Sequence, residues 1–175
     1  MKAVSQKVIG LGLPRTGTTS ISKALEILGY SGSHFCILQS KQMNYLAPSS
    51  KKAFVVDNSY YKNYRKLFEE NRGRPDPKYV LTTRKKEDWL VSIGKFNREE
   101  WLQSNGRFDI VDLPDIAEYE TEVQDFFRQR NGELLRLNLF EEKNPWQTFC
   151  NFLSEPVPKA AFPHERPILG TKNPQ

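Results

Sequence analysis

Val8-Ile9-Gly10-Leu11-Gly12-Leu13-Pro14-Arg15-Thr16-Gly17-Thr18-Thr19-Ser20 is the stretch on which the reading of this chain turns. An apolar run passes into a loop bearing Gly12 and Gly17. Beyond the loop, Ile21, Ala24, Leu25 and Leu28 recur at i, i+3, i+4 and i+7. That order predicts a buried strand from Lys7 to Leu13, a tight loop, and an amphipathic helix stopping at Gly29. The first turn of such a helix presents unpaired N–H groups and the positive end of its dipole, a ready site for phosphate. The spacing from Gly12 to Gly17 fits the triphosphate-binding pattern G-x-x-x-x-G-K-[ST]. Yet Thr18 stands where the lysine belongs, and the cation sits three positions earlier, at Arg15.

Outward from this stretch, apolar runs alternate with helical stripes. Ala53 to Asp57, Tyr79 to Thr83 and Glu133 to Leu139 read as strands. Tyr60, Tyr64, Leu67 and Phe68 form the inner stripe of a helix that ends in the turn Asn71 to Pro75. Trp89, Leu90 and Ile93 face the core from the next helix. Asp115 to Arg130 carries Ile116, Tyr119, Val123 and Phe126 inward, and Asn131-Gly132 ends it. Trp146, Phe149, Cys150 and Leu153 line a final helix entered through Asn144-Pro145, with Asn144 as its cap. Ser31 to Ser50 reads as a short strand or loop followed by an irregular helix, and Ser104 to Pro114 as an exposed connection suited to a lid or acceptor loop. The alternation predicts an α/β domain with a central, mostly parallel sheet flanked by helices. One domain over residues 1–175 is expected, residues 154–175 being an irregular tail that wraps the surface.

The 175 residues are 38% hydrophobic and 12% aromatic, enough for a packed core rather than a disordered chain. Lys and Arg number 26 against 21 Asp and Glu, a balance of +5 that suits an anionic ligand. The basic residues are scattered, which argues against nucleic acid as a partner. Cys36 and Cys150 stand far apart with no C-x-x-C pattern, so a reduced, cytoplasmic protein without a metal is expected. The apolar stretch at the N-terminus is too short for a signal peptide. No segment approaches the roughly 20 apolar residues of a membrane span, so no membrane partner is expected.

Ligands of open α/β sheets bind beyond the carboxyl ends of the strands. Three polar signals fall at such ends: the loop Pro14 to Thr19, Asp57 and Arg84. Pro14-Arg15-Thr16-Gly17-Thr18-Thr19-Ser20 resembles the 5′-phosphosulfate loop of sulfotransferases, which use 3′-phosphoadenosine 5′-phosphosulfate as sulfuryl donor. Arg84, followed eight residues on by Ser92, resembles that family's 3′-phosphate motif. Glu133 to Pro163, with Trp146, Phe149 to Leu153 and Phe162-Pro163-His164, is similar to the carboxyl-terminal segment of a compact prokaryotic-type branch of the same superfamily.

The resemblance implies a three-layer P-loop-type fold and transfer of a sulfuryl group to a hydroxyl or amine, leaving 3′-phosphoadenosine 5′-phosphate and needing no metal. It implies that Pro14 to Ser20 hold the 5′ phosphosulfate, with Arg15 beside the leaving group. Arg84 and Ser92 would take the 3′-phosphate, and Asp57 or His34 would act as base. Ser20 departs from the tryptophan that stacks on adenine in some cytosolic members. The acceptor, expected to be a small molecule, and the oligomeric state stay open. Two alternatives also stay open. One is an ATP-dependent small-molecule kinase, whose Mg²⁺ strand Ala53 to Asp57 imitates. The other is a nucleotide-binding module without catalysis.

Overall fold

The computed structural model describes residues 6–34, 52–56, 60–72, 77–98 and 113–164. In chain order these form β1 (Gln6–Gly10), α1 (Thr18–Ile27), β2 (Ser31–His34), β3 (Lys52–Val56) and α2 (Tyr60–Asn71). Then follow β4 (Lys78–Thr82), α3 (Lys86–Arg98), α4 (Ile116–Gln129), β5 (Leu134–Leu137) and α5 (Pro145–Leu153). The strands make one sheet in the order β2-β3-β1-β4-β5, parallel at every pairing.

Side chains alternate across a strand, and here both faces are apolar, as a sheet covered on each side requires. Ile9, Val55, Tyr79 and Leu81 point to one face, where Tyr61, Tyr64 and Leu67 of α2, Trp89 and Ile93 of α3, and Tyr119, Val123 and Phe126 of α4 close over them. Val8, Phe54, Val56, Val80 and Leu137 point to the other, against Ile21, Ala24 and Leu25 of α1 and Phe149, Cys150 and Leu153 of α5. The result is three layers, helices on each side of the sheet. No helix among the described residues is long and apolar enough to cross a membrane.

Topology places a crevice. The helix after β1 lies on one face and the helix after β4 on the other, while β1 and β4 are neighbours. Their outgoing loops therefore separate, and ligands of such sheets bind at that switch point.

Local chemistry explains the boundaries. Gly29, at φ 81, closes α1: its N–H donates to the Glu26 carbonyl at 3.0 Å and that of Tyr30 to Leu25 at 2.9 Å. This is the left-handed stop that glycine permits. Asp115 is the cap of α4 rather than its first residue, accepting from the N–H groups of Ala117 at 2.9 Å and Glu118 at 3.3 Å.

Three sequence expectations need correction. Leu90 is 52% exposed, because Trp89, Ser92 and Ile93 form the buried stripe of α3 and Leu90 lies about 100° round the helix from Trp89. Asn144 occupies the cap position of α5 but makes no side-chain cap; its own N–H instead donates to Glu142 at 3.1 Å. β1 and β5 are also shorter than the runs read for them, while β3 and β4 start one residue earlier. Past Gly10 the strand ladder ends, though the Leu11 N–H still donates to the Val80 carbonyl at 2.8 Å. Of Ser31 to Ser50, the first four residues form β2, and residues 35–50 lie outside the described residues, as does most of the Ser104 to Pro114 connection.

Candidate active site

The loop from Leu11 to Gly17 is held from beneath by buried hydrogen bonds, each supplied by an element already packed for other reasons. Tyr119 of α4 donates to the Leu11 carbonyl at 2.7 Å, and the Trp89 indole of α3 donates to the Pro14 carbonyl at 2.8 Å. Thr16, fully buried, donates to Leu13 at 2.7 Å and shares a 2.7 Å bond with the Thr82 hydroxyl at the end of β4. Buried carbonyls left unpaired cost a desolvation penalty of about 1–3 kcal/mol each, so these partners fix the loop's path.

Two residues hold left-handed backbone: Arg15 at φ 72 and Gly17 at φ 100. Glycine does so freely, but a branched or long side chain does so at a cost of the order of 1–3 kcal/mol. The strained residue is thus the cation that the sequence singles out. Gly17 is also the cap residue of α1 and has no side chain to occupy the first-turn N–H groups. A helix start that its own cap leaves open carries partial positive charge towards the loop.

Arg15 extends its guanidinium over α3, and its Nε donates to the Ser92 hydroxyl at 3.1 Å. Arg84 reaches back from β4, and its Nη1 donates to the Arg15 carbonyl at 3.2 Å. Three residues far apart in sequence therefore meet over one loop. The Arg84 Nε is buried with no hydrogen-bond partner among the described residues, and burial lowers the guanidinium's pKa. A cation desolvated this way, with a donor unused, favours an anion beside it. Its guanidinium carbon also lies 4.0 Å from the centroid of the Phe140 ring, a side chain that is itself 53% exposed. Beside Arg84, the Thr83 hydroxyl is likewise buried without a partner among the described residues.

His34, the last residue of β2, comes against the first turn of α1. Its Nε2 is 3.3 Å from the Thr18 hydroxyl and 3.5 Å from that of Thr19. Burial pushes the imidazole down to about 4; the Glu26 carboxylate opposes that shift and the Lys23 ammonium adds to it. Asp57 follows β3 directly in sequence and lies outside the described residues. Ser20 is buried within the first turn of α1.

Thr82, Trp89, Tyr119 and Phe140 were not read from sequence as site residues, although Trp89 and Tyr119 were read as core. The first three are buried residues whose polar atoms turn to the loop, and nothing in their spacing marks those contacts. Phe140 had a signal: it follows the last strand, at the same kind of carboxyl end that drew attention to Asp57 and Arg84.

A family model described as Sulfotransferase domain matches residues 7–66. That bears out the resemblance read from the loop, over β1, α1, β2, β3 and the first half of α2. Pro14 to Ser20, His34 and Asp57 fall inside the match, whereas Arg84 and Ser92 lie beyond it. Comparison with the curated proteins found no match.

Proposed function

We propose that this chain is a sulfotransferase that takes its sulfuryl group from 3′-phosphoadenosine 5′-phosphosulfate and passes it to a hydroxyl or amine of a small molecule. One observation carries the reading: Arg15, Ser92 and Arg84 meet over the loop that leads into α1, whose cap residue leaves its first turn open. The donor, when bound, supplies a sulfuryl group on a good phosphate leaving group, so the protein's task is positioning and charge stabilisation.

The residues suit that donor. The first-turn N–H groups of α1 and the hydroxyls of Thr18 and Thr19 would hold the 5′ group, with Pro14, Thr16 and Gly17 setting the loop's course and Ser20 its buried end. The Arg15 guanidinium would meet charge growing on the leaving oxygen, an effect worth on the order of 10²–10³ in rate. Arg84, with its unused Nε, and Ser92 would bind the 3′-phosphate. The hydrogen bond from Arg15 to Ser92 then links the two ends of the donor through one side chain. Phe140, with the Arg84 guanidinium over its ring and much of its side chain exposed, offers an apolar surface for the base. Asp57 is assigned the acceptor's proton, because His34 already faces the hydroxyls of Thr18 and Thr19.

Thermal melting separates this reading from its rivals. 3′-Phosphoadenosine 5′-phosphate at 100 times its Kd should add about 2.7 kcal/mol of stability, and Arg84→Ala should weaken that ligand at least tenfold more than adenosine 5′-monophosphate. A preference for ATP with Mg²⁺ would point to the kinase. Tight binding of the 3′-phosphorylated nucleotide without turnover on a broad acceptor panel would point to a binding module. Asp57→Asn with near-full transfer rate would remove Asp57 from its role.

A further inference from the structure

A guanidinium on a long, flexible stem binds an anion well only if its direction is set beforehand, because ordering it on binding costs affinity. Arg84 has such a stem. Its Nη1 donates to the Arg15 carbonyl at 3.2 Å, and one hydrogen bond does not fix the whole group. The Phe140 ring, with its centroid 4.0 Å from the guanidinium carbon, supplies a second restraint. Yet Phe140 is an exposed side chain, so burial does not hold the ring in place.

The turn that follows β5 does. Asn138 Oδ1 accepts from the Phe140 N–H at 3.1 Å, the local bond by which asparagine shapes a turn. The Asn138 carbonyl accepts from the N–H groups of Glu141 at 3.2 Å and Glu142 at 2.9 Å, and its Nδ2 donates to the Glu141 carboxylate at 2.8 Å. The turn is also fastened to the end of β4, residue by residue. The Thr83 N–H donates to the Leu137 carbonyl at 2.9 Å, Arg84 meets Phe140, and Lys85 pairs with Glu141 at 2.6 Å. Between these contacts the buried Leu139 closes on the start of α1, where a Cβ added to Gly17 would lie 2.8 Å from its Cδ1. One turn therefore touches both the helix start and Arg84.

Resting on the reading that Arg84 takes the 3′-phosphate, we propose that Asn138 is a positioning residue for that contact: by closing the turn after β5 it holds Phe140 against Arg84 and so aims the guanidinium before the nucleotide arrives. The Lys85–Glu141 pair is exposed and screened by solvent, so the hydrogen bonds of Asn138 carry the arrangement. The consequence concerns selectivity. Loosening the turn lowers the affinity that the 3′-phosphate adds, over and above any change common to nucleotides with and without it.

The test compares the Kd of 3′-phosphoadenosine 5′-phosphate with that of adenosine 5′-monophosphate by calorimetry, since their ratio isolates the 3′-phosphate and cancels what the base contributes. Asn138→Ala should shrink the ratio about fivefold, the effect of leaving one long side chain to be ordered on binding. Asn138→Ser, whose hydroxyl can accept the same N–H, should stay within about twofold of wild type. Phe140→Leu should also shrink the ratio about fivefold, and its exposed position keeps the point testable even if Asn138→Ala does not fold. In an Arg84→Ala background, Asn138→Ala should leave the ratio unmoved, the non-additivity of residues that act through one another. An unchanged ratio in either folded variant, or a loss in Asn138→Ala that persists in the Arg84→Ala background, overturns the role of Asn138 and leaves the sulfotransferase reading standing. A wild-type ratio near one, or a ratio that Arg84→Ala does not lower, overturns the 3′-phosphate assignment of Arg84 and this inference with it.

Discussion

At the scale of single residues, the free protein keeps His34 neutral at a cost in acid. An imidazole pushed down to about 4 by burial binds its proton later than it would in the unfolded chain, where the value is near 6.5. Because the unfolded state takes up the proton first, stability falls as pH drops from about 6.5 towards 4 and is insensitive to this group above that window. The ring is partly exposed, so the loss should be about 1–3 kcal/mol rather than a larger figure. Melting curves between pH 7 and 4.5 should show this slope in the wild type and a shallower one in His34→Gln. The role of Arg15 also belongs to this scale. Its left-handed backbone sends its side chain towards α3 and turns its carbonyl to Arg84. Sequence named the cation, but its unusual dihedral was not legible, since arginine rarely adopts it.

At the scale of elements, the loop is an outcome of how β1, β4, α3 and α4 pack. A Cβ placed on Gly12 would overlap the Thr82 hydroxyl and crowd that of Thr16, at 2.7 Å. Gly12→Ala should therefore push the loop off β4, destabilising the fold by about 1–3 kcal/mol and removing nucleotide-induced thermal stabilisation. Trp89 offers a second check. Trp89→Phe keeps the apolar ring but leaves the Pro14 carbonyl without its 2.8 Å partner. A loss of about 1–2 kcal/mol is expected, together with weaker binding of 3′-phosphoadenosine 5′-phosphate, measured by calorimetry. Unchanged affinity would mean that α3 does not position the loop.

For the whole molecule, the same two-faced sheet that forms the crevice also recruits the segment after α5. Residues 155–164 have no helix or strand, yet they are anchored. Phe162 is 8% exposed and meets Trp146 edge-on at 4.8 Å, and the Trp146 indole donates to the Ala160 carbonyl at 2.7 Å. Glu155 accepts from Tyr30 at 3.1 Å and pairs with Lys52 of β3, tying the segment to the starts of β2 and β3. Phe162→Ala should cost about 2–4 kcal/mol in urea denaturation. Affinity for the nucleotide should change little, because Phe162 packs in the core cluster of α1 and α5 rather than against the loop. A large loss of affinity in a folded variant would show that the segment also shapes the site.

The sequence by itself determined the elements and the chemistry of the loop. Two periodicities, 2 along the strands and 3.6 along the helices, are local and leave their mark in residue order. Gly29 and Gly17 could be read for the same reason, since the backbone conformations they permit are properties of one residue. The order β2-β3-β1-β4-β5 was not so legible, because strand pairing joins residues remote in the chain. Tertiary structure alone decided that Arg15, Ser92 and Arg84 meet over one loop, that Trp89 and Tyr119 brace it, and that His34 faces the hydroxyls of Thr18 and Thr19. Hydrogen bonds of this kind depend on where packed elements bring their atoms, and no spacing in the sequence records that distance.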